Sequence, residues 1–453
     1  MKTDNVRDVL AQDPMRSLPD RRLRVLFVNR SYWPDAEATG QLLTDLCESL
    51  AERFDVSVLC GQPNCNPTNV EFLTVGVQRH GSVSVNRLQH TCFNKRGYVG
   101  RLANLVSFTL AVKKWLRKSR PFDIIVSETD PFLLPMVTAP IATKMGAAYV
   151  AYLQDIYPDI AVRLGKAKEG WLTAYLRSRL RNAYQKASQV IVLSPAMKLE
   201  LINWGIEKSK IEVIPNWVNC DLIKPVKKEN KFRDANRWKD KFVVMHSGNM
   251  GLSQKLDALV HAVSHPSFPL NARLVLVGGG ADEERLRALA QLSSRREDIE
   301  FLPYQPRESL SLSLSAADLH VISVDLRIGG TMMPSKLYGV LASATPALVI
   351  ADPSSDVARE VMLHDVGRVV TSHLPAEIAS AVAEMANLSI GQRSGMQSRA
   401  RELAESTYNK SICVESFANL LARQVSDAGQ QAASPDFKNG LMNQKLAAAS
   451  ERS

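Results

Sequence analysis

The sequence predicts an α/β chain made of two parallel-sheet halves, and three observations lead there. Short apolar strands alternate with amphipathic helical stretches in both halves, the pattern of parallel sheets. At 453 residues the chain is too long for one hydrophobic core, so two domains of about 200 residues are expected. Glycine-bearing turns follow several of the strands, at the carboxyl ends where open α/β sheets bind ligands.

In the first half, residues 24–29 (RVLFVN) read as a buried strand, followed by a loop over 30–40 and an amphipathic helix over 41–53. Strands are expected at 55–60, 124–127, 149–153, 190–193 and 211–214. Helices are expected over 132–145, 168–187 and 196–204. Residues 216–240, rich in Asn, Lys and Asp and with little periodicity, read as a connection. The second half restarts with a strand at 242–246, a turn at 247–251 and a helix over 254–263. Strands at 274–277, 299–302, 319–323 and 347–350 follow, with helices over 281–295, 374–387 and 393–421. The expected domains are 22–218 and 241–405, joined by a linker at 219–240. A flexible stretch at 1–21 precedes them, a helix at 406–424 packs back towards the first domain, and a disordered tail occupies 425–453.

Residues 1–220 hold 29 Lys and Arg against 20 Asp and Glu, and 15 of those cations against 7 of those acids fall within 101–200. A one-sided basic half points to a polyanion: nucleic acid, an anionic membrane face or phosphorylated ligands. No recognition motif accompanies the basic half, which argues against nucleic acid. The six cysteines are scattered without C-x-x-C or matching His spacing, which argues against a zinc site and for a reducing compartment. The polar N-terminus lacks the apolar stretch of a signal peptide. The apolar run 131–153 contains Lys144, Pro135 and Pro140 and suits buried strands and a helix better than a membrane span. A cytosolic protein, peripheral at a membrane, is expected.

Several segments hold residues suited to chemistry. The loop 30–40 (RSYWPDAEATG) ends at Gly40 ahead of a helix, where backbone N–H groups can approach an anion. Tyr32 and Trp33 add aromatic surface there. Gln154 and Asp155, in YLQDIYPDI, follow a strand directly, and a carboxylate there can position or deprotonate a hydroxyl. Capping the next turn is the competing role for Asp155, and Asp159 shares either one. Glu128 and Asp130 suit helix capping. In SGNMG, Gly248 and Asn249 follow a strand, with Gln254, Lys255 and Asp257 opening a helix and Lys255 able to neutralise a phosphate. Glycines 278–280 read as a structural turn before a cap at Asp282. The strongest segment is IGGTMMPSKLYGVL, residues 328–341. Gly329 and Gly330 are flexible, Pro334 suits a first helical position, and Lys336 one turn in adds a full positive charge beside an anion cradle. Arg327 adds a second.

The stretches RVLFVNRSYWPDAEATGQL, YLQDIYPDIAVRLG, VIVLSPAMKLELINWGI, SGNMGLSQKLD, VLVGGG, FLPYQPRESL and MPSKLYGVLASATPALV, in this order, resemble the family-4 retaining glycosyltransferases of the GT-B fold. The similarity extends to the branch that makes colanic acid, O-antigen and other exopolysaccharides. The resemblance implies two Rossmann-like domains facing each other across a cleft, acceptor domain first and nucleotide-sugar domain second. It places Gly40 near the donor diphosphate, Gly248 and Asn249 on the phosphates, and Tyr304 and Gln305 near the base. It puts Gly330, Thr331, Met332, Met333, Ser335 and Lys336 under the sugar and diphosphate. It gives Asp155 a place beside the acceptor or sugar, with Gln154 where relatives often carry His. Two departures stand out. A glutamate pair usual in relatives, one near the sugar and one on the ribose, reads here as Thr331 and Gly339, and an Arg and a Lys on the diphosphate read as Asn249 and Gln254. Charge neutralisation then falls to Lys336, Arg327, Lys255 and helix N-termini.

In such a retaining reaction, without a protein nucleophile, the leaving diphosphate takes the acceptor's proton on the same face. The donors that stabilise it supply most of the catalysis. The expected partners are a nucleotide sugar, a polyprenyl-diphosphate-linked glycan and an anionic membrane surface, with no metal ion and no cofactor. Arg117, Lys118, Arg120, Arg177, Arg179 and Arg181 are the expected membrane cations. A sugar-nucleotide epimerase of the same architecture, and a non-catalytic donor-binding subunit of a polysaccharide assembly complex, are the alternative readings.

Overall fold

The structure of the protein, a computed structural model, describes residues 21–35, 38–63, 74–93 and 98–433. The expected N-terminal stretch and the part of the tail beyond 433 lie outside the described residues, apart from Arg21. The described residues divide into two compact units, one drawn from 21–152, 179–191 and 414–433 and the other from 153–178 and 192–413.

The first sheet is built from β1 (Arg24–Val28), β2 (Asp55–Cys60), β3 (Gly76–His80), β4 (Val83–Arg87), β5 (Ile124–Ser127), β6 (Ala148–Leu153), β7 (Gln189–Val192) and β8 (Ile211–Val213). Its order is β3-β4-β2-β1-β5-β6-β7-β8. Strand β1 pairs in parallel with β2 and β5, while β3 runs antiparallel to β4 at the edge. The β3–β4 hairpin turns at Gly81, whose φ of +55° favours glycine. The sequence reading passes over this hairpin and over the helix Tyr98–Leu116.

The second sheet contains β9 (Phe242–Asn249), β10 (Ala272–Gly279), β11 (Ile299–Leu302), β12 (Leu319–Ser323), β13 (Ala347–Ile350) and β14 (Gly367–Val370), in the order β11-β10-β9-β12-β13-β14. Its paired strands all run parallel. The chain runs outward from β9 to β11, then returns to β12 and runs outward the other way, so the order reverses between β9 and β12. Ligands of open α/β sheets bind at that point, beyond the carboxyl ends of the strands. Both faces are covered. Val244, Leu274, Leu276, Val321 and Leu348 pack with Leu259, Ile378 and Val382 on one face. Val243, Met245, Val275 and Val277 pack with Trp238 and Ala316 on the other. Burial on both faces explains why these strands read as unbroken apolar runs.

Three differences from the sequence expectation have local causes. Strands β9 and β10 run on through Gly248–Asn249 and Gly278–Gly279, because paired glycines let the two backbones stay in register. The helix expected over 393–421 is two helices, Ile390–Ser406 and Lys410–Ala433, separated where Asn409 bridges Val218. Residues 216–240 include a helix, Lys231–Ala235, and the fully buried Trp238 and Arg233, whose guanidinium donates to Asp318 at 3.1 Å. That packing rests on two large side chains and leaves no periodic stripe in the sequence.

Candidate functional site

The carboxyl ends of β9 and β10 carry two glycines in the left-handed half of backbone space, Gly248 (φ +126°) and Gly278 (φ +125°), paired across the two strands. A Cβ on Gly278 would collide with the Gly248 carbonyl oxygen, so that position admits only glycine. A Cβ on Gly248 would lie 2.8 Å from Cε of Lys336, which covers it.

Lys336 is the first residue of the helix Lys336–Ala342. It therefore stands at the start of the helix and not one turn in, and Pro334 lies two residues ahead of it, outside the helix whose first position was expected for it. The turn is closed by the Leu337 N–H donating to the Pro334 carbonyl. Ser335 occupies the N-cap position without a side-chain cap bond. The Lys336 ammonium donates to the Asn249 carbonyl at 3.4 Å, and burial lowers its pKa to about 8. Behind it lies His246, fully buried on β9, with Nε2 and Nδ1 each 3.3 Å from the carbonyl oxygens of Asn249 and Val321. Burial first, then the Lys336 charge, push this imidazole down to about 3, so it is neutral at working pH.

The turn before Lys336 is held from several directions. Asp325 caps the short helix Leu326–Ile328, accepting from the Arg327 N–H, and grips the Arg327 guanidinium at 2.8 and 2.6 Å. That hydrogen bonding to Arg327 lowers the Asp325 pKa and raises that of Arg327. Arg327 is exposed, but its charge is already matched by Asp325. Gly330 takes a φ of +78°. Thr331 is fully buried, and its hydroxyl donates to the Ile328 carbonyl at 2.7 Å. Its own carbonyl accepts from the Ile156 N–H at 3.1 Å, and Met332 forms an antiparallel bridge with Asp155. Met333 is buried. Arg163 donates to the Gly329 carbonyl at 2.5 Å and pairs with Glu200 at 2.9 Å. Asp155 and the turn at 329–333 are thus brought together.

Tyr304 is exposed at the end of β11, its hydroxyl donating to the Gly279 carbonyl at 3.1 Å. Lys255 takes a left-handed conformation (φ +49°) after a single helical turn, Leu252–Gln254. The Gln254 Oε1 is buried with no hydrogen-bond partner. Gly40 belongs to the other compact unit. It stands inside the first turn of the helix Ala38–Leu50, not ahead of it, and a Cβ there would press on Asp35 and Ser31. Asp130 pairs with Arg30 at 2.8 Å, and the following helix, Leu134–Met145, has no side-chain cap. Asp282 sits at the N-cap of Glu283–Gln291 but spends its carboxylate on Arg285. Asp159 accepts from Trp204 and Arg177, and Glu169 takes the rest of that guanidinium, so Arg177 is engaged within the fold.

Arg163 and His246 are the residues that sequence reasoning missed. Nothing in DIAVRLG marks Arg163, because its partner lies far along the chain. His246, inside an apolar strand, reads as core.

Residues 39–222 match the family described as Glycosyltransferase Family 4, and residues 227–403 match Glycosyl transferases group 1. A chain named as the colanic acid biosynthesis glycosyl transferase WcaI of Escherichia coli (strain K12) is 24% identical over 88% of this chain and 99% of its own length. A chain named as the glycosyltransferase WbjE of Pseudomonas aeruginosa is 23% identical over 74% of this chain and 83% of its own. Among solved structures, the sucrose-phosphate synthase of Thermosynechococcus elongatus superposes with a TM-score of 0.71 at 17% identity, covering 90% of this chain and 100% of that one. Anabaena HepE in complex with UDP-glucose gives 0.64 at 16% identity, covering 89% of this chain and 100% of its own. The two Rossmann-like α/β sheets are those of the GT-B fold.

Proposed function

This chain belongs to glycosyltransferase family 4, and we propose that it moves a sugar from a nucleotide-sugar donor to a polyprenyl-diphosphate-linked glycan, with retention, in exopolysaccharide, O-antigen or capsule biosynthesis. The name of WcaI supports the polymer class, and the UDP-glucose complex of HepE supports the donor class. The observation that carries the reading is the Lys336 ammonium over Gly248 at the strand-order reversal of the second sheet. A half-buried cation beside a backbone with no side chain offers a diphosphate both charge and close approach. Gly330, Thr331, Met332, Met333 and Ser335 shape the floor under the sugar, and Tyr304 offers an exposed ring to the base. Lys255 and Asn249 complete the donor side, and Arg327 contributes less, because Asp325 offsets its charge.

Asp155 is the carboxylate placed against the turn, and it is assigned to the hydroxyl side of the reaction. Thr331 and Gly339 leave no carboxylate at the two positions where the resemblance implies a glutamate pair, so backbone N–H groups and Lys336 stabilise the leaving diphosphate. That diphosphate accepts the acceptor's proton. A lipid-linked acceptor puts the enzyme at the cytoplasmic face of a membrane. A thermal-shift panel of nucleotides and nucleotide sugars tests the donor, since a ligand at a hundred times its Kd stabilises by about 2.7 kcal/mol. A panel without any shift overturns the reading. Transfer to a lipid-linked glycan separates it from a donor-binding subunit, and incubation of donor alone separates it from an epimerase.

A further inference from the structure

The helix Tyr98–Leu116 carries its exposed aliphatic side chains along one line. Val99, Leu102, Val106 and Leu110 are 83%, 60%, 39% and 57% exposed and recur at three- and four-residue steps, the spacing of a single helix face. The same line continues into Lys113 and Arg117. Beside it a groove of about 420 Å³ opens against the helix Leu134–Met145. Met136, Pro140 and Ile141 give this groove an apolar floor, and Lys113, Arg117, Lys144 and Arg179 stand along it. None of the residues lining the groove is acidic, and neither helix contains an Asp or Glu.

A row of four exposed aliphatics gains nothing from water, and a cluster of cations without a carboxylate is self-repelling. An anionic amphiphile satisfies both at once. No helix among the described residues is long and apolar enough to cross a membrane. We infer that this face docks on an anionic lipid bilayer, with the stripe Val99–Leu102–Val106–Leu110 entering the interface and lipid phosphates seated against Lys113, Arg117, Lys144 and Arg179. The inference rests on the reading of the acceptor as lipid-linked. Of the six expected membrane cations it keeps Arg117 and Arg179, adds Lys113 and Lys144, and leaves out Arg177, which Asp159 and Glu169 hold; it also adds an apolar component to an attraction otherwise purely electrostatic.

Flotation of the full-length protein with vesicles tests it, using phosphatidylcholine alone and phosphatidylcholine with an equal part of phosphatidylglycerol. The protein is expected to float with the mixed vesicles and to stay behind with the neutral ones. Lys113→Glu with Lys144→Glu weakens partitioning at least about thirtyfold, at roughly 1 kcal/mol per cation lost. Leu102→Asp with Leu110→Asp weakens it at least about tenfold. Both double variants keep the far-UV circular dichroism and the cooperative thermal unfolding of the parent, which shows that they are folded. Equal flotation on neutral vesicles, or charge-reversed protein that floats like the parent, overturns the inference. A parent that floats but shifts with no nucleotide defeats the donor assignment and leaves the docking face standing.

Discussion

The Lys336 ammonium lies 3.4 Å from the Asn249 carbonyl oxygen, with its Cε over the vacant Cβ position of Gly248. One side chain therefore depends on the absence of another, across a gap of almost ninety positions in the sequence.

Lys336→Ala is expected to lower kcat/KM for donor by about 10²-fold, the loss of one charged partner to a leaving group. The same ammonium titrates near pH 8 in the free protein. Its folded pKa lies below that of a free lysine, so it loses its proton as pH rises through about 8. Nucleotide affinity measured by calorimetry should then fall between pH 7.5 and 9 in the parent. A flat profile in Lys336→Ala would confirm which group titrates.

Gly248→Ala meets two penalties. The backbone at φ +126° is strained for any L side chain, at about 1–2 kcal/mol, and the new methyl pushes Lys336 aside. Donor affinity should drop along with the unfolding midpoint. Gly278→Ala, facing backbone instead of a flexible side chain, should destabilise more than Gly248→Ala in denaturant titrations.

Arg163→Ala frees the Gly329 carbonyl and unpairs Glu200. The expected result is a KM for donor raised about tenfold, from one charge-assisted bond of about 1.5–3 kcal/mol acting partly through geometry, with a smaller change in kcat. Arg163→Lys should recover part of it. A change in kcat alone would assign Arg163 a different role.

His246 and His320 are both fully buried and held down to about 3 and about 4 by desolvation. Between those values and 6.5 the unfolded chain binds protons that the folded one refuses, so stability falls as pH drops through that window. By pH 4 each should cost on the order of 3 kcal/mol. Thermal melts of parent and His320→Asn across pH 4–7 check this, with the variant losing less on acidification.

Transfer is expected to proceed undiminished in the presence of a chelator, because the assigned cations are side chains. Activity abolished by chelation and restored by magnesium would remove that assignment.

How much of this was legible differs by residue. The parallel strands of the second sheet announced themselves as apolar runs, and the IGGTMMPSK segment stood out by its glycines and lysine. The β3–β4 hairpin did not, because its edge strand β3 is largely exposed and its apolar signal is weak. Arg327 looked like a free phosphate ligand until Asp325, two residues earlier, proved to hold it. Asp130 and Asp282 looked like caps, yet each is occupied by an arginine. Local spacing shows which residues are near one another, but it does not show which charges are already matched.

The bridge between Asp155 and Met332 has a consequence for synthesis. At about 5–20 residues per second a ribosome needs roughly 10–35 s to travel from one to the other. During that interval the segment around Asp155 and Ile156 exists without the backbone that will pair with it. The donor turn is therefore completed late in translation, after the first sheet's strands have emerged. A stalled or truncated product ending before Gly329 would carry a nascent sheet and no pocket.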